Sequence, residues 1–257
     1  MTYDFKGKVV AVTGGAGFGM GNVMAKAFFD AGASISICSR KADRVEKAVE
    51  QIGGADSSRC AGFVADMSDA AKAGQFIQDT VAHFGRIDVL VNNAGVFVPK
   101  PSVDVTEDDW DYQMNTKPKG YFFAAQMAAR DMIGRGEGGS IINIGSVNAE
   151  CKTFNQVVYA TANAGVAHMT RCLAREWGKF NIRVNCIQPG SIPTEINYEK
   201  YTAHPELDVE ISGKIALGKR GDSKNIADAA MFLASDHASY ITGDVMNVDG
   251  GFLLYSI

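Results

Sequence analysis

No stretch of this 257-residue chain approaches the roughly 20 consecutive apolar residues that a membrane span needs, so its 46% hydrophobic content is spread over a globular core. A charged and then apolar cleavable leader is also missing; the chain runs directly into Lys8-Val9-Val10-Ala11-Val12, and the expectation is a cytoplasmic protein. Cysteine is scarce, five in all and odd in number, with no CxxC pair and no histidine at metal-ligand spacing. That excludes a disulfide frame or a zinc site as the organising device, and no metal is expected. Charge of one sign is lacking as well: a net −4 without a basic stripe argues against a nucleic-acid partner. No low-complexity linker, internal repeat or second composition regime interrupts the chain, which reads as one domain over 1–257.

What is present is an alternation. Short Val- and Ile-rich runs are expected as strands at Val9–Thr13, Ser34–Cys38, Ala61–Ala65, Val89–Asn92, Ser140–Ile144, Arg183–Ile187 and Val245–Val248. Segments of helical period fill the intervals, among them Val45–Ile52, Ala70–Phe84 and Tyr112–Ile133. The fold class is therefore α/β, a Rossmann-like doubly wound parallel sheet of seven strands with helices on both faces. Ser191 to about Gly221 reads as one long irregular stretch, the natural substrate lid.

The first strand runs into Thr13-Gly14-Gly15-Ala16-Gly17-Phe18-Gly19-Met20-Gly21 and then a helix. Such a turn lets backbone N–H groups and a helix N-terminus approach a pyrophosphate, which is the geometry of a dinucleotide site; any tight strand-to-helix connection also uses glycine. The second strand ends in Cys38-Ser39-Arg40-Lys41, where a carboxylate would be expected to grip a ribose 2′-hydroxyl. Two cations beside a hydroxyl suit a 2′-phosphate instead, so NADP(H) is favoured with NAD(H) as the alternative; the plainer reading is a charged start to a solvated helix.

With these in place the chain resembles the short-chain dehydrogenases/reductases over nearly its whole length. Gly14, Gly17, Phe18, Gly19 and Met20 resemble the family's cofactor loop, Asp66 and Met67 its adenine contacts, and Asn92-Asn93-Ala94-Gly95 its fourth-strand signature. The resemblance implies that Asn115 is the active-site asparagine, that Ser146, 13 residues before Tyr159, is the catalytic serine, and that Pro189, Gly190, Ile192 and Thr194 clamp the nicotinamide. Ile241-Thr242-Gly243 and Asp249-Gly250-Gly251 look like its C-terminal signature. It also implies a homotetramer or homodimer, packed through the helix that carries Ala164, Gly165, Ala167 and Met169.

In such a site hydride moves to or from a carbon while the attached oxygen gains or loses a proton; Tyr159 is the expected acid or base, Ser146 the hydrogen bond to that oxygen, and Asn115 the holder of a relay water. The substrate is expected to be a small carbonyl compound or alcohol of medium size and partly apolar character, held among Val96, Phe97, Glu150, Cys151, Phe154, Gln156, Tyr198 and Tyr201.

One position departs from the resemblance. Four residues after Tyr159, where the family carries a lysine that favours phenolate and holds the nicotinamide ribose, stands Asn163, which can keep only the second task. A phenol titrates near about 10, and loss of about two units of assistance is roughly 2.7 kcal/mol, so oxidation at neutral pH is expected to suffer more than reduction. Lys152 and Lys119 are the cations weighed as substitutes. Two lesser departures are an extra loop residue near Phe18 and Pro118, which should kink or interrupt its helix. Three readings stay open: an NADP-dependent reductase or dehydrogenase, a cofactor-binding protein with little turnover, and a cofactor-free lyase or dehalogenase.

Overall fold

The computed structural model describes residues 3–17, 19–54, 56–151, 154–194 and 202–255. Seven parallel strands make a single sheet: β1 (Val9–Thr13), β2 (Ser34–Ser39), β3 (Cys60–Val64), β4 (Val89–Asn92), β5 (Gly139–Ile144), β6 (Ile182–Pro189) and β7 (Val245–Val248), in the order β3-β2-β1-β4-β5-β6-β7. The strand expectations hold to within a residue or two, with β3 beginning at Cys60 rather than Ala61. Every residue of β1 and β4 is buried, as strands covered on both faces must be.

Eight α-helices flank the sheet among the described residues: α1 (Met20–Asp30), α2 (Ala42–Gly53), α3 (Ala70–Phe84), α4 (Glu107–Met114), α5 (Gly120–Arg135), α6 (Val157–Trp177), α7 (Pro205–Gly213) and α8 (Ser223–Ala234). One apolar cluster gathers Met24 and Phe28 of α1 with Ile226 and Leu233 of α8; a second joins Phe76 and Ile77 of α3 to Ala124, Ala128 and Met132 of α5 and Leu173 of α6; a small third holds Tyr121, Val166 and Cys186. The strand order reverses between β1 and β4, and at such a switch point the connections leave in opposite directions and open a crevice at the carboxyl ends of the strands.

Two expectations need correction. The helix expected over Tyr112–Ile133 is three pieces, because Asn115–Lys119 forms a π-helical turn containing Pro118 between α4 and α5. Proline has no N–H to continue an α-helical ladder, and the wider turn lets the Gly120 N–H reach the Asn115 carbonyl instead. The segment after Ser191 is not irregular throughout, since it contains α7 and is tied at its base by Arg220, whose Nε donates to Ser191 Oγ at 2.9 Å and whose Nη1 donates to Asp208 Oδ1 at 3.0 Å.

Candidate active site

The crevice holds a cleft of about 260 Å³ lined by the glycine turn, the ends of β2 to β5 and Tyr159. Thr13 builds its floor. Its Oγ1 accepts the backbone N–H groups of Asn93 at 2.9 Å and Ala94 at 3.0 Å, while Asn93 Nδ2 donates back to the carbonyls of Thr13 at 3.0 Å and Gly14 at 3.3 Å. The glycine turn and the end of β4 are thus one hydrogen-bonded unit. Gly21 completes it, since a Cβ there would stand 2.5 Å from Asn93 Nδ2 and 2.6 Å from the Gly14 carbonyl.

Around this unit lie Gly14, Gly17, Gly19, Met20, Ser39, Arg40, Arg44, Asp66, Met67, Asn93, Ala94, Gly95 and Thr194. Phe18 lies outside the described residues. Arg40 faces the cleft beside Tyr112, donating from Nη1 to its hydroxyl at 2.7 Å. Asp66 Oδ1 accepts from the Ser68 N–H at 3.0 Å and hydroxyl at 2.8 Å. Gly190 donates its N–H to the Val248 carbonyl at 3.0 Å, Ile192 is buried, and Thr194 packs against Gly19, so the segment after β6 meets the glycine turn across the cleft. A cradle of glycines with backbone N–H groups, a carboxylate and an arginine suits a dinucleotide, and the residues present fit one.

At the inner end, Ser146 follows β5 and is buried; its Oγ accepts from the Asn148 N–H at 3.2 Å and hydrogen-bonds the Tyr159 phenol. Burial raises the Tyr159 pKa above its ordinary value, and the hydrogen bonds of Ser146 and Asn163 work in the opposite direction. Phe97 meets the Tyr159 ring edge-on, with centroids 5.1 Å apart. Asn163, on the next turn of α6, is fully buried, and its Nδ2 donates to the Tyr159 carbonyl at 2.7 Å.

The residue that Asn163 faces was not among those expected. Lys117, buried in the π-helical turn, points its Nζ at Asn163 Oδ1, 2.6 Å away, and at the carbonyls of Ile144 at 3.0 Å and Gly145 at 3.4 Å. The same Nζ lies 5.5 Å from the centroid of the Tyr159 ring. Asn115 is not brought to the cleft; its Oδ1 accepts from Lys119 Nζ at 3.3 Å in an exposed pair. The reason is the turn itself, which adds a residue and rotates Thr116 and Lys117 inward while leaving Lys119 in solvent. Lys119 therefore does not reach the phenol, and Lys152, Tyr198 and Tyr201 lie outside the described residues. One sequence signal could have found Lys117: the proline one residue after it, which breaks the α-helical period that placed Lys119 on the face of Asn115.

The sequence profile of the family described as enoyl-(acyl carrier protein) reductase matches residues 15–253. The chain belongs to the short-chain dehydrogenase/reductase family. It is 36% identical to a 2-dehydro-3-deoxy-D-gluconate 5-dehydrogenase of Dickeya dadantii, over 98% of each chain. Among solved structures of this family's fold, a blue fluorescent protein from a metagenomic library in complex with NADPH is 34% identical, superposes with a TM-score of 0.89 and covers 97% of this chain and 99% of its own. A gluconate 5-dehydrogenase from Burkholderia cenocepacia, in complex with NADP and tartrate, is 29% identical with a TM-score of 0.92, covering 99% of this chain and 98% of its own. Family membership makes the chain an oxidoreductase by kinship.

Proposed function

We propose that this short-chain dehydrogenase/reductase interconverts a ketone or aldehyde with an alcohol, using NADP(H) in preference to NAD(H) and Tyr159 as the proton donor or acceptor. The observation that carries the reading is the Ser146–Tyr159 hydrogen-bonded pair at the inner end of a cleft whose outer part is a glycine-and-arginine cradle. When bound, the nicotinamide supplies or receives the hydride. Tyr159 holds the proton that the substrate oxygen gains or loses, and Ser146 donates a hydrogen bond to that oxygen as negative charge develops on it.

Burial keeps the phenol protonated at neutral pH, the form that carbonyl reduction consumes, so reduction is the favoured direction there and oxidation grows with pH. Arg40 just after β2 and Arg44 in the first turn of α2 offer positive charge to a 2′-phosphate, with the Ser39 hydroxyl beside them, which supports NADP. The Thr13–Asn93 staple argues against a cofactor-free enzyme, which has no use for a stiffened dinucleotide cradle. The substrate class is a medium-sized carbonyl compound or secondary alcohol bound against Phe97. Exposed Ala164, Gly165 and His168 on α6 suit a flat contact between copies in a homodimer or homotetramer, and the unpaired thiols suit a reducing, cytoplasmic setting.

The test is NADPH oxidation against a panel of ketones, aldehydes and keto acids, with Tyr159→Phe as control. Turnover by the wild type, lost in the variant while NADPH still quenches fluorescence, supports the reading. Saturable NADPH binding with no turnover on any carbonyl replaces it with a cofactor-binding role.

A further inference from the structure

Lys117 is a buried ammonium without a carboxylate. Its three protons go to neutral oxygens, those of Ile144, Gly145 and Asn163, and none of the ion pairs among the described residues includes it. A neutral side chain could donate to one of those carbonyls without carrying a charge out of water, which is costly. The surroundings nevertheless accommodate the long stem. A Cβ on Gly95 would stand 3.2 Å from Lys117 Cε, and Gly120, which ends the π-helical turn, is held so close to β3's exit loop that a Cβ there would stand 2.1 Å from the Met67 carbonyl.

The titratable groups facing Nζ can be named from each packed element. Tyr159 comes from α6, with its ring centroid at 5.5 Å; Tyr121 comes from α5, at 5.8 Å; and Cys186 comes from β6, with Arg171 and Asp244 beyond it. Burial raises Tyr121 well above its ordinary value and pushes Cys186 up to about 12, so both are neutral at physiological pH. Tyr159 is the one of the three that opens onto the cleft.

We propose that Lys117 is a positioning residue that supplies to Tyr159, from the π-helical turn, the positive charge that position 163 lacks, with Asn163 holding its Nζ in place. The ammonium and the amide have exchanged helices relative to what the resemblance implies: the cation comes from the turn beside Asn115 and the amide from the turn after Tyr159. Burial pushes Lys117 down to about 8, so near that pH the pair gives up one proton, which leaves either amine with phenol or ammonium with phenolate. The second arrangement is the base that alcohol oxidation needs. The kinetic consequence rests on the oxidoreductase reading; the effect on the phenol does not.

The experiment therefore reads the phenol directly. Ultraviolet phenolate absorbance is titrated in the wild type, in Lys117→Met and in the exchange variant Lys117→Asn/Asn163→Lys, each against its Tyr159→Phe counterpart to isolate Tyr159, with NADPH fluorescence quenching as the check on folding. Lys117→Met is expected to raise the Tyr159 midpoint by about two units, a roughly hundredfold loss of phenolate at fixed pH, and the exchange variant to recover most of it. The alkaline limb of the oxidation rate should move by the same amount. A lysine that only filled hydrogen bonds would scale the rate at every pH and leave the midpoint in place. An unmoved Tyr159 midpoint in folded Lys117→Met overturns the proposal, and if that variant does not fold, a raised midpoint in the exchange variant does so. Absence of turnover with a shifted midpoint would sink the oxidoreductase reading alone.

Discussion

Asn163→Lys installs the residue type that the resemblance implies at that position, and in this chain it is expected to do harm. Lys117 Nζ stands 2.6 Å from Asn163 Oδ1, so a lysine at 163 removes an acceptor and brings a second ammonium into the same buried space. At a separation of about 4 Å and an effective dielectric of about 20, the repulsion is about 4 kcal/mol, or about three pKa units. Lys117 is already pushed down to about 8 from 10.5 by burial, and a neighbouring cation lowers the folded-state value further. The folded protein then binds fewer protons than the unfolded chain at neutral pH. The loss of stability is full below the lowered folded-state pKa and fades as pH climbs toward the unfolded value. Urea unfolding should give a deficit of about 3 to 4 kcal/mol near pH 6 that shrinks below about 1 kcal/mol near pH 10, with oxidation no faster than in the wild type. Equal stability at both pH values, together with faster oxidation near neutrality, would mean that no charge stands beside position 163 and would refute the reasoning.

Other outcomes follow from single contacts. Gly120→Ala places a methyl 2.1 Å from the Met67 carbonyl, a backbone atom that cannot swing away; a loss of at least about 3 kcal/mol in urea unfolding is expected, and a loss under about 1 would show that the turn is not held there. Arg40→Ala should weaken NADPH binding about tenfold to a hundredfold and NADH binding by less than about threefold, as read by fluorescence titration; equal losses would deny Arg40 a role in choosing the cofactor. Asn93→Ala removes the donor to the Thr13 and Gly14 carbonyls, so a stability loss of about 1 to 3 kcal/mol with weaker NADPH binding is expected; undiminished binding would dissociate the staple from the cradle. Cys38, Cys60 and Cys186 are buried, with thiols pushed up to about 12, 11 and 12, and should resist alkylation at neutral pH until the protein unfolds; rapid native labelling of any of them would contradict that burial.

Much of this molecule was legible in its sequence because the signals are local. Strands buried on both faces read as continuous apolar runs, and β1 and β4 end where the residues said they would, as does the partly exposed edge strand β7. The glycine turn, Asn93 and Tyr159, which line the cleft, and Ser146, which hydrogen-bonds Tyr159, were legible as motifs because strand ends and turns fix their geometry within a few residues. The interruption at Pro118 was legible too, because proline cannot continue the ladder, but the π-helical form of that turn was not. An α-helical period put Lys119 on the face of Asn115, four residues on, where the two side chains do meet, though in solvent. A π-helical turn changes the angle per residue, so the residue turned inward became Lys117.

The sequence by itself determined the seven strands of a parallel sheet, the glycine turn after the first of them and the absence of a lysine at position 163, whereas the strand order and the cleft at its switch point came with the fold. Only the tertiary structure decided whether a positive charge is missing from the site. Charge acts through space rather than along the chain, and residues 46 apart in sequence are brought to 2.6 Å by the packing of the π-helical turn on α6. What the sequence presents as a lost ammonium is, in the folded protein, an ammonium delivered from another helix.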